Sequence, residues 1–201
     1  MNESDIQSVR ETLQQFQHGY TLRQTERIDS FCRLFVPEDD LEVIGTAAVD
    51  PGDDEWRLGA EEASNLFIND WEGWGDLVLA VADARIHTLG DVAWLATTGT
   101  VTMSLDPDET CRDTLAYIRE ELSENPVSGE DEGLAPRERL LDILREGVNT
   151  LAEAGRGTYY VWPLRFTAVL VRRGPRWLFH QVQFSFPTTR FPDERYGLPG
   201  E

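Results

Sequence analysis

Cysteine is scarce in this sequence: among 201 residues only Cys32 and Cys111 carry a thiol. Neither belongs to a CxxC pair or to a zinc-ligand spacing, so no disulfide framework is expected and both are read as buried, reduced thiols. Histidine stops at three residues, and no His and carboxylate pair has metal-ligand spacing, so no metal is expected. No apolar run is long enough to span a bilayer. The opening stretch Met1-Asn2-Glu3-Ser4-Asp5 holds no apolar segment of a secretory signal. These absences point to a cytoplasmic protein that stays off membranes. Basic residues are also few. Eighteen Lys and Arg stand against 37 Asp and Glu, a formal net charge of -19. Nucleic acid recruits Lys and Arg to its phosphates, so this balance argues against it as a partner. The general effect of such acidity is solubility. No nucleophile elbow, phosphate loop or dinucleotide fingerprint occurs, since Gly45, Gly52 and Gly59 read as turn residues. No cofactor is expected.

Aromatic residues are plentiful: nine Phe, six Trp and five Tyr in a chain that is 40% hydrophobic. That bulk can fill the core of one domain spanning 1–201. Ser4 with Gln7 forms a capping-box pattern, and Ile6, Val9, Leu13, Phe16 and Tyr20 recur at helical steps, predicting a helix over 5–23. A second helix carries Ile28, Phe31, Cys32 and Phe35 and ends at Pro37. Strands follow at 41–45 and 55–58, then a helix from Gly59 with Ala60, Ala63, Phe67 and Trp71 on one face. Two long strands, 76–88 and 92–104, read as a hairpin about Leu89-Gly90-Asp91, and two more, 158–173 and 176–187, turn at Gly174-Pro175. Between the second and third of these long strands, residues 105–157 form a helical insertion. Cys111, Leu115, Ile118 and Leu122 mark one of its helices, and Pro136, Leu140, Leu141, Leu144, Val148 and Leu151 another. The acidic run from Asp106 to Glu132 reads as a solvated face.

The order of elements, with the C-terminal segment Arg165-Phe166-Thr167, Arg172-Arg173-Gly174-Pro175-Arg176-Trp177 and Gln181-Val182-Gln183-Phe184-Ser185-Phe186-Pro187, resembles the SnoaL-like branch of the nuclear transport factor 2-like superfamily. Within that branch it is most similar to the subgroup that includes the association domain of calcium/calmodulin-dependent kinase. The subgroup ends in a basic turn, a Trp, then two His and a Ser at alternate positions. Here the Trp is Trp177, Gln181 and Gln183 replace the His pair, and Ser185 matches the Ser. The resemblance covers about 5–104 and 158–187. It implies an α+β fold, a cystatin-like cone in which a curved antiparallel sheet wraps around helices, commonly a homodimer with a pocket between sheet and helices.

Strand alternation then assigns faces. Leu178, His180, Val182, Phe184 and Phe186 share one side of the last strand. The resemblance turns Phe184 toward the pocket, so His180, Val182, Phe184 and Phe186 are expected to line it, with Phe166 and Ala168 on the neighbouring strand and Tyr20, Trp71 and Trp94 as walls. Ala168 and Phe184 stand where the subgroup has a pocket Arg pair, which favours a small apolar ligand over an anionic acid. Thr167, Val169, Trp177, Phe179, Gln181, Gln183 and Ser185 are expected to face a second copy of the chain. His180 is the catalytic candidate, since its ordinary pKa suits proton transfer near neutrality, with Asp70, Tyr20 or Asp29 as partners. His18 reads as exposed and His87 as structural. The expected function is a small-molecule-binding or assembly module with an apolar pocket. The alternative is a cofactor-independent lyase or isomerase acting on an apolar carbonyl compound, with His180 as acid and base.

Overall fold

Val9, Leu13, Phe16 and Tyr20 recur at three- and four-residue steps, and in the structure all four are at most 1% exposed along one face of helix α1, Glu3–Leu22. The computed structural model describes residues 3–46, 48, 50–52, 55–104, 106–124, 143–144, 147–148 and 158–186. After α1 comes a 3-10 turn, Thr25–Arg27, and a short helix α2, Ile28–Cys32. The helix expected to reach Pro37 therefore stops five residues early. The reason lies in strand β7, Arg176–Ser185. Phe179 N donates to Leu34 O at 2.8 Å and Val36 N donates to Phe179 O at 2.9 Å, which pulls 34–36 out alongside that strand.

Strands β1 (Glu42–Ile44) and β2 (Trp56–Leu58) precede helix α3, Gly59–Gly73. Gly59 opens that helix at φ +79°, a left-handed geometry that glycine adopts without a Cβ penalty. Ala63, Leu66, Phe67 and Trp71 form its buried face. The segment expected as one strand over 76–88 is broken into β3 (Asp76–Leu79) and β4 (Arg85–Leu89) by a 3-10 turn, Val81–Asp83. Arg10 of α1 holds that turn, its guanidinium donating to the carbonyls of Val81, Ala82 and Ala84. Thr97, 8% exposed, donates to Ala80 O from the other side. Strands β5 (Val92–Ser104) and β6 (Tyr159–Arg173) complete the set.

The seven strands form one curved sheet in the order β2-β1-β7-β6-β5-β3, with β4 pairing β5 beyond the end of β3. The sheet is mixed, because β1 runs parallel to β7 through Glu42↔Gln181 and Ile44↔Gln183. Its inner face presents Leu77, Ala93, Leu95, Val101, Phe166, Leu170, Val182 and Phe184 to the helices. Burying each large side chain of this kind contributes about 1.5–3 kcal/mol.

The β6–β7 register holds the main surprise. Val169 faces Gln181, yet the next pair is Leu170 with Phe179, leaving His180 without a partner across β6. One extra residue in β7 is a β-bulge, and it reverses the phase of the strand on its far side.

Contacts divide the chain into two compact units, one of 1–103 with 161–196 and one built on 104–160. In the second, helix α4 spans Pro107–Glu124. Asp106 caps it, its Oδ1 accepting from Asp108 N at 2.9 Å and Glu109 N at 3.0 Å. A Cβ at Gly147 would meet Ile118 Cδ1 at 3.4 Å, so the helical turn there lies against α4. Of the expected second insertion helix, Leu144 and Val148 are described and exposed. Pro136, Leu140, Leu141 and Leu151 lie outside the described residues, as does most of the acidic link that follows α4.

Candidate functional site

The last turn of α1 and the last turn of α3 bring together Tyr20 and Asp70. The Tyr20 hydroxyl, 1% exposed, donates to Asp70 Oδ2 at 2.6 Å. Burial lifts the Asp70 carboxyl to a pKa of about 6. The nearby Glu55 carboxylate adds to the rise, while the bond from Tyr20 opposes it. Burial, and then the Asp70 charge, push the Tyr20 phenol well above its ordinary value. Arg23, directly after α1, latches the two helix ends together. It adopts φ +50° and donates to Tyr20 O, to Trp74 O at 2.7 Å and to Gly75 O.

Glu55 reaches the site from the turn before β2. A Cβ at residue 45 would lie 2.3 Å from Glu55 Oε2, so Gly45 is what leaves room for that carboxylate. Thr46 Oγ1 donates to the same oxygen at 3.4 Å. Glu55, Asp70, Trp74 and Phe184 thus border a narrow cleft with Gly45 and Thr46 at its edge, whose free space of about 10 Å³ is at the lower limit for one water molecule. A carboxyl that titrates near pH 6 and holds a phenol hydrogen can take or give a proton around neutrality.

Of the expected pocket residues, Tyr20, Trp71, Phe166, Ala168, Val182 and Phe184 are at most 6% exposed inside the cone. Trp71 also borders a pocket beside α1 and Phe184 the Asp70 cleft, but together these six do not line a hollow. Phe16 sits with its ring centroid 5.0 Å from Tyr20, 5.1 Å from Phe166, 5.4 Å from Phe179 and 5.5 Å from Phe31. Phe35 and Phe67 continue the stack at 4.9 Å. The expected open apolar pocket is, in this region, filled by the protein's own rings. Phe186 lies half-buried at the rim between Trp74 and Trp162.

Four placements need correction. His180 does not enter the interior. The bulge turns it outward to Asp40 Oδ2 at 3.2 Å, with 32% of its side chain exposed. Asp70 and Tyr20, two of its expected partners, bond each other instead, and Asp29 is exposed. Trp94 is 45% exposed on the outer sheet face, stacked on His87 across the β4–β5 pair. Phe179, fully buried, and Trp177, 3% exposed, lie inside, because the reversed phase carries odd-numbered residues inward before the bulge. Arg172, whose guanidinium lies 4.6 Å over the Trp177 ring, also pairs with Asp5 of α1. Thr167, Val169, Gln181, Gln183 and Ser185 do occupy the outer face, where Gln181 donates to Glu42 Oε2 at 2.8 Å. His18 is exposed. Trp74, one of the tryptophans that could form an aromatic wall, does border the cleft. Sequence reading missed Glu55 and Arg23: each stands at the end of an expected element, 55–58 and 5–23, and that position says nothing of convergence.

Among the described residues no group of three or more His, Cys, Asp or Glu could hold a metal ion, and no helix is long and apolar enough to cross a membrane.

Comparison with solved structures bears on the architecture. An NTF2-like protein of unknown function from Pseudomonas putida KT2440 aligns over 98% of this chain and 96% of its own, at 12% identity and a TM-score of 0.55. The fold is the NTF2-like cone. A provisionally named dehydratase of the NTF2-like family from Streptomyces avermitilis covers 93% of this chain and 99% of its own, at 11% identity and a TM-score of 0.56. A cystatin-like protein of unknown function from Nostoc punctiforme matches 92% and 93% at 12% identity, with a TM-score of 0.51. At such identities these likenesses establish the fold alone. No protein-family model matches the chain, and no curated protein does.

Proposed function

We propose that this NTF2-like chain is a small-molecule-binding module whose ligand is taken at the Asp70 cleft. The observation that carries the reading is the 2.6 Å Tyr20–Asp70 hydrogen bond, set at the end of an otherwise aromatic interior. Buried polar groups in apolar surroundings fix the orientation of a ligand, while ring walls supply its affinity. The fitting ligand is compact and largely apolar, with one hydrogen-bonding group for Asp70. Its admission requires Trp74 and Phe186, at the rim, to swing aside. Thermal-shift screening of small aromatic ketones, alcohols and amines tests this. A binder should raise the unfolding temperature of the wild type by several degrees and leave Asp70→Asn unmoved. Shifts equal in both proteins, or none in either, would overturn the reading.

The raised pKa of Asp70 favours a second reading, a cofactor-independent lyase or isomerase in which Asp70 moves the proton. It predicts deuterium exchange beside the carbonyl of a bound ketone, with a pH dependence centred near 6, lost in Asp70→Asn.

The outer sheet face supports a homodimer. Trp94, Val78 and Val92 are 45%, 57% and 42% exposed there, on the same face as Thr167, Val169 and Gln183, and an apolar sheet face of this kind is normally covered. A closed two-fold pair is the commonest cover. Light scattering should give twice the chain mass for the wild type and a smaller value for Trp94→Glu.

A further inference from the structure

Two adjoining pockets of about 230 Å³ each lie between α1 and α2, and Gln15, Ser30 and Leu34 border both. They form one groove, followed along α1 from Ser8 to Leu22. Fourteen helical steps make it about 21 Å long. A compact ligand would leave most of that length empty, whereas an extended peptide of about six residues would fill it.

Its charge runs against that of the molecule. Arg27 borders one half, and Arg33 and Arg176 the other, with Glu11 the single carboxylate on the lining. Three cations to one anion inverts the chain-wide ratio of 18 to 37. Glu26 and Asp29, on the same turn and helix, do not line the groove. All three arginines are exposed, and among the described residues no ion pair engages them. The half holding Arg27 also has an apolar wall of Leu22, Phe31 and Trp71. Two polar atoms on residues of that half, Trp71 Nε1 and Gln24 Oε1, are buried with no hydrogen-bond partner among the described residues.

We propose that this groove docks an extended acidic segment of a partner protein. An apolar side chain of the segment seats against Leu22 and Phe31, and its carboxylates meet Arg27, Arg33 and Arg176. Charge complementarity selects the partner, because a net charge of -19 repels acidic peptides in general while this strip gathers three exposed arginines against one carboxylate. The groove lies on the helical side, apart from Asp70, so the inference stands independently of the small-ligand reading.

Fluorescence anisotropy on the full chain tests it, with a labelled eight-residue peptide of one Leu, one Gly and six Asp and Glu residues. The expected result is saturable binding that weakens as salt rises from about 50 to 300 mM. Reversing the charges in Arg33→Glu with Arg176→Glu should weaken it at least about tenfold at an unchanged unfolding temperature. The milder Arg27→Gln should lower affinity about threefold. No saturable binding by the wild type overturns the proposal. So does equal binding by both variants, or tighter binding of a lysine counterpart peptide or a twelve-nucleotide thymidine strand.

Discussion

On the C-terminal side of His180, β7 alternates as a half-buried strand should: Val182 and Phe184 are at most 2% exposed, while Gln181 and Gln183 lie outside. On the N-terminal side the phase is reversed. Phe179 is fully buried among Phe16, Phe35 and Phe166, and Trp177 lies under Arg172, whose other partner is Asp5 of α1. Leu178, between them, is buried as well. Ten residues of one strand therefore obey two opposite parities, separated by one unpaired residue. Alternation is a local rule, and a single bulge moves every side chain beyond it to the other face.

The sharpest way to break this comparison is to insert one alanine between Val169 and Leu170, opposite the unpaired His180. Pairing the inserted residue with His180 would make the strand regular and turn Trp177, Phe179 and Leu170 outward, and the expected outcome is loss of cooperative unfolding, read by circular dichroism. Deleting His180 instead removes the extra residue with Phe179 still opposite Leu170 and should leave cooperative unfolding intact; the reverse pair of outcomes would contradict the two-phase reading. Next in size is a pair of truncations. Phe179→Ala should cost about 3–5 kcal/mol in chemical denaturation, as for a fully buried ring, whereas Gln183→Ala, on the other phase, should stay within about 0.5 kcal/mol.

A smaller effect belongs to Asp70. Its folded pKa of about 6 exceeds its unfolded value, so the folded chain binds the proton more tightly. The stability this brings is present in full below about pH 4 and is lost as pH rises through about 6. Asp70→Asn should then be more stable than wild type at pH 8, by about 1–2 kcal/mol after allowing for screening at a half-buried site, with the gap closing at pH 4. Parallel pH–stability curves for the two proteins would contradict this. The smallest effect is expected for His180→Ala. A half-exposed hydrogen bond with Asp40 should shift stability by less than about 1 kcal/mol and leave ligand-induced stabilisation unchanged.

Much of the fold was legible because its signals are periodic. The α1 stripe through Val9, Leu13, Phe16 and Tyr20, the α3 face, and the hairpins at Gly90 and Gly174 follow from local spacing and turn chemistry. The broken strand at Ala80 was not, since its cause is Arg10, some seventy residues away, donating to three carbonyls. The early end of α2 has the same origin, because Phe179 claims the backbone of Leu34 and Val36. The site was half legible. Tyr20 and Asp70 were both marked, but as partners of a histidine that the bulge removes. Glu55 and Trp74 enter through the meeting of a turn and a helix end, which no spacing in the sequence records.

The account turns on Asp70 being the proton-active group at the end of the aromatic interior, with Tyr20 bonded to it. Carboxyl carbon NMR titration of Asp70 in the wild type and in Tyr20→Phe measures this directly. The predicted midpoint is about 6 in the wild type and higher in Tyr20→Phe, because the lost hydrogen bond had favoured the charged form. A midpoint near 4 in both proteins would contradict the account.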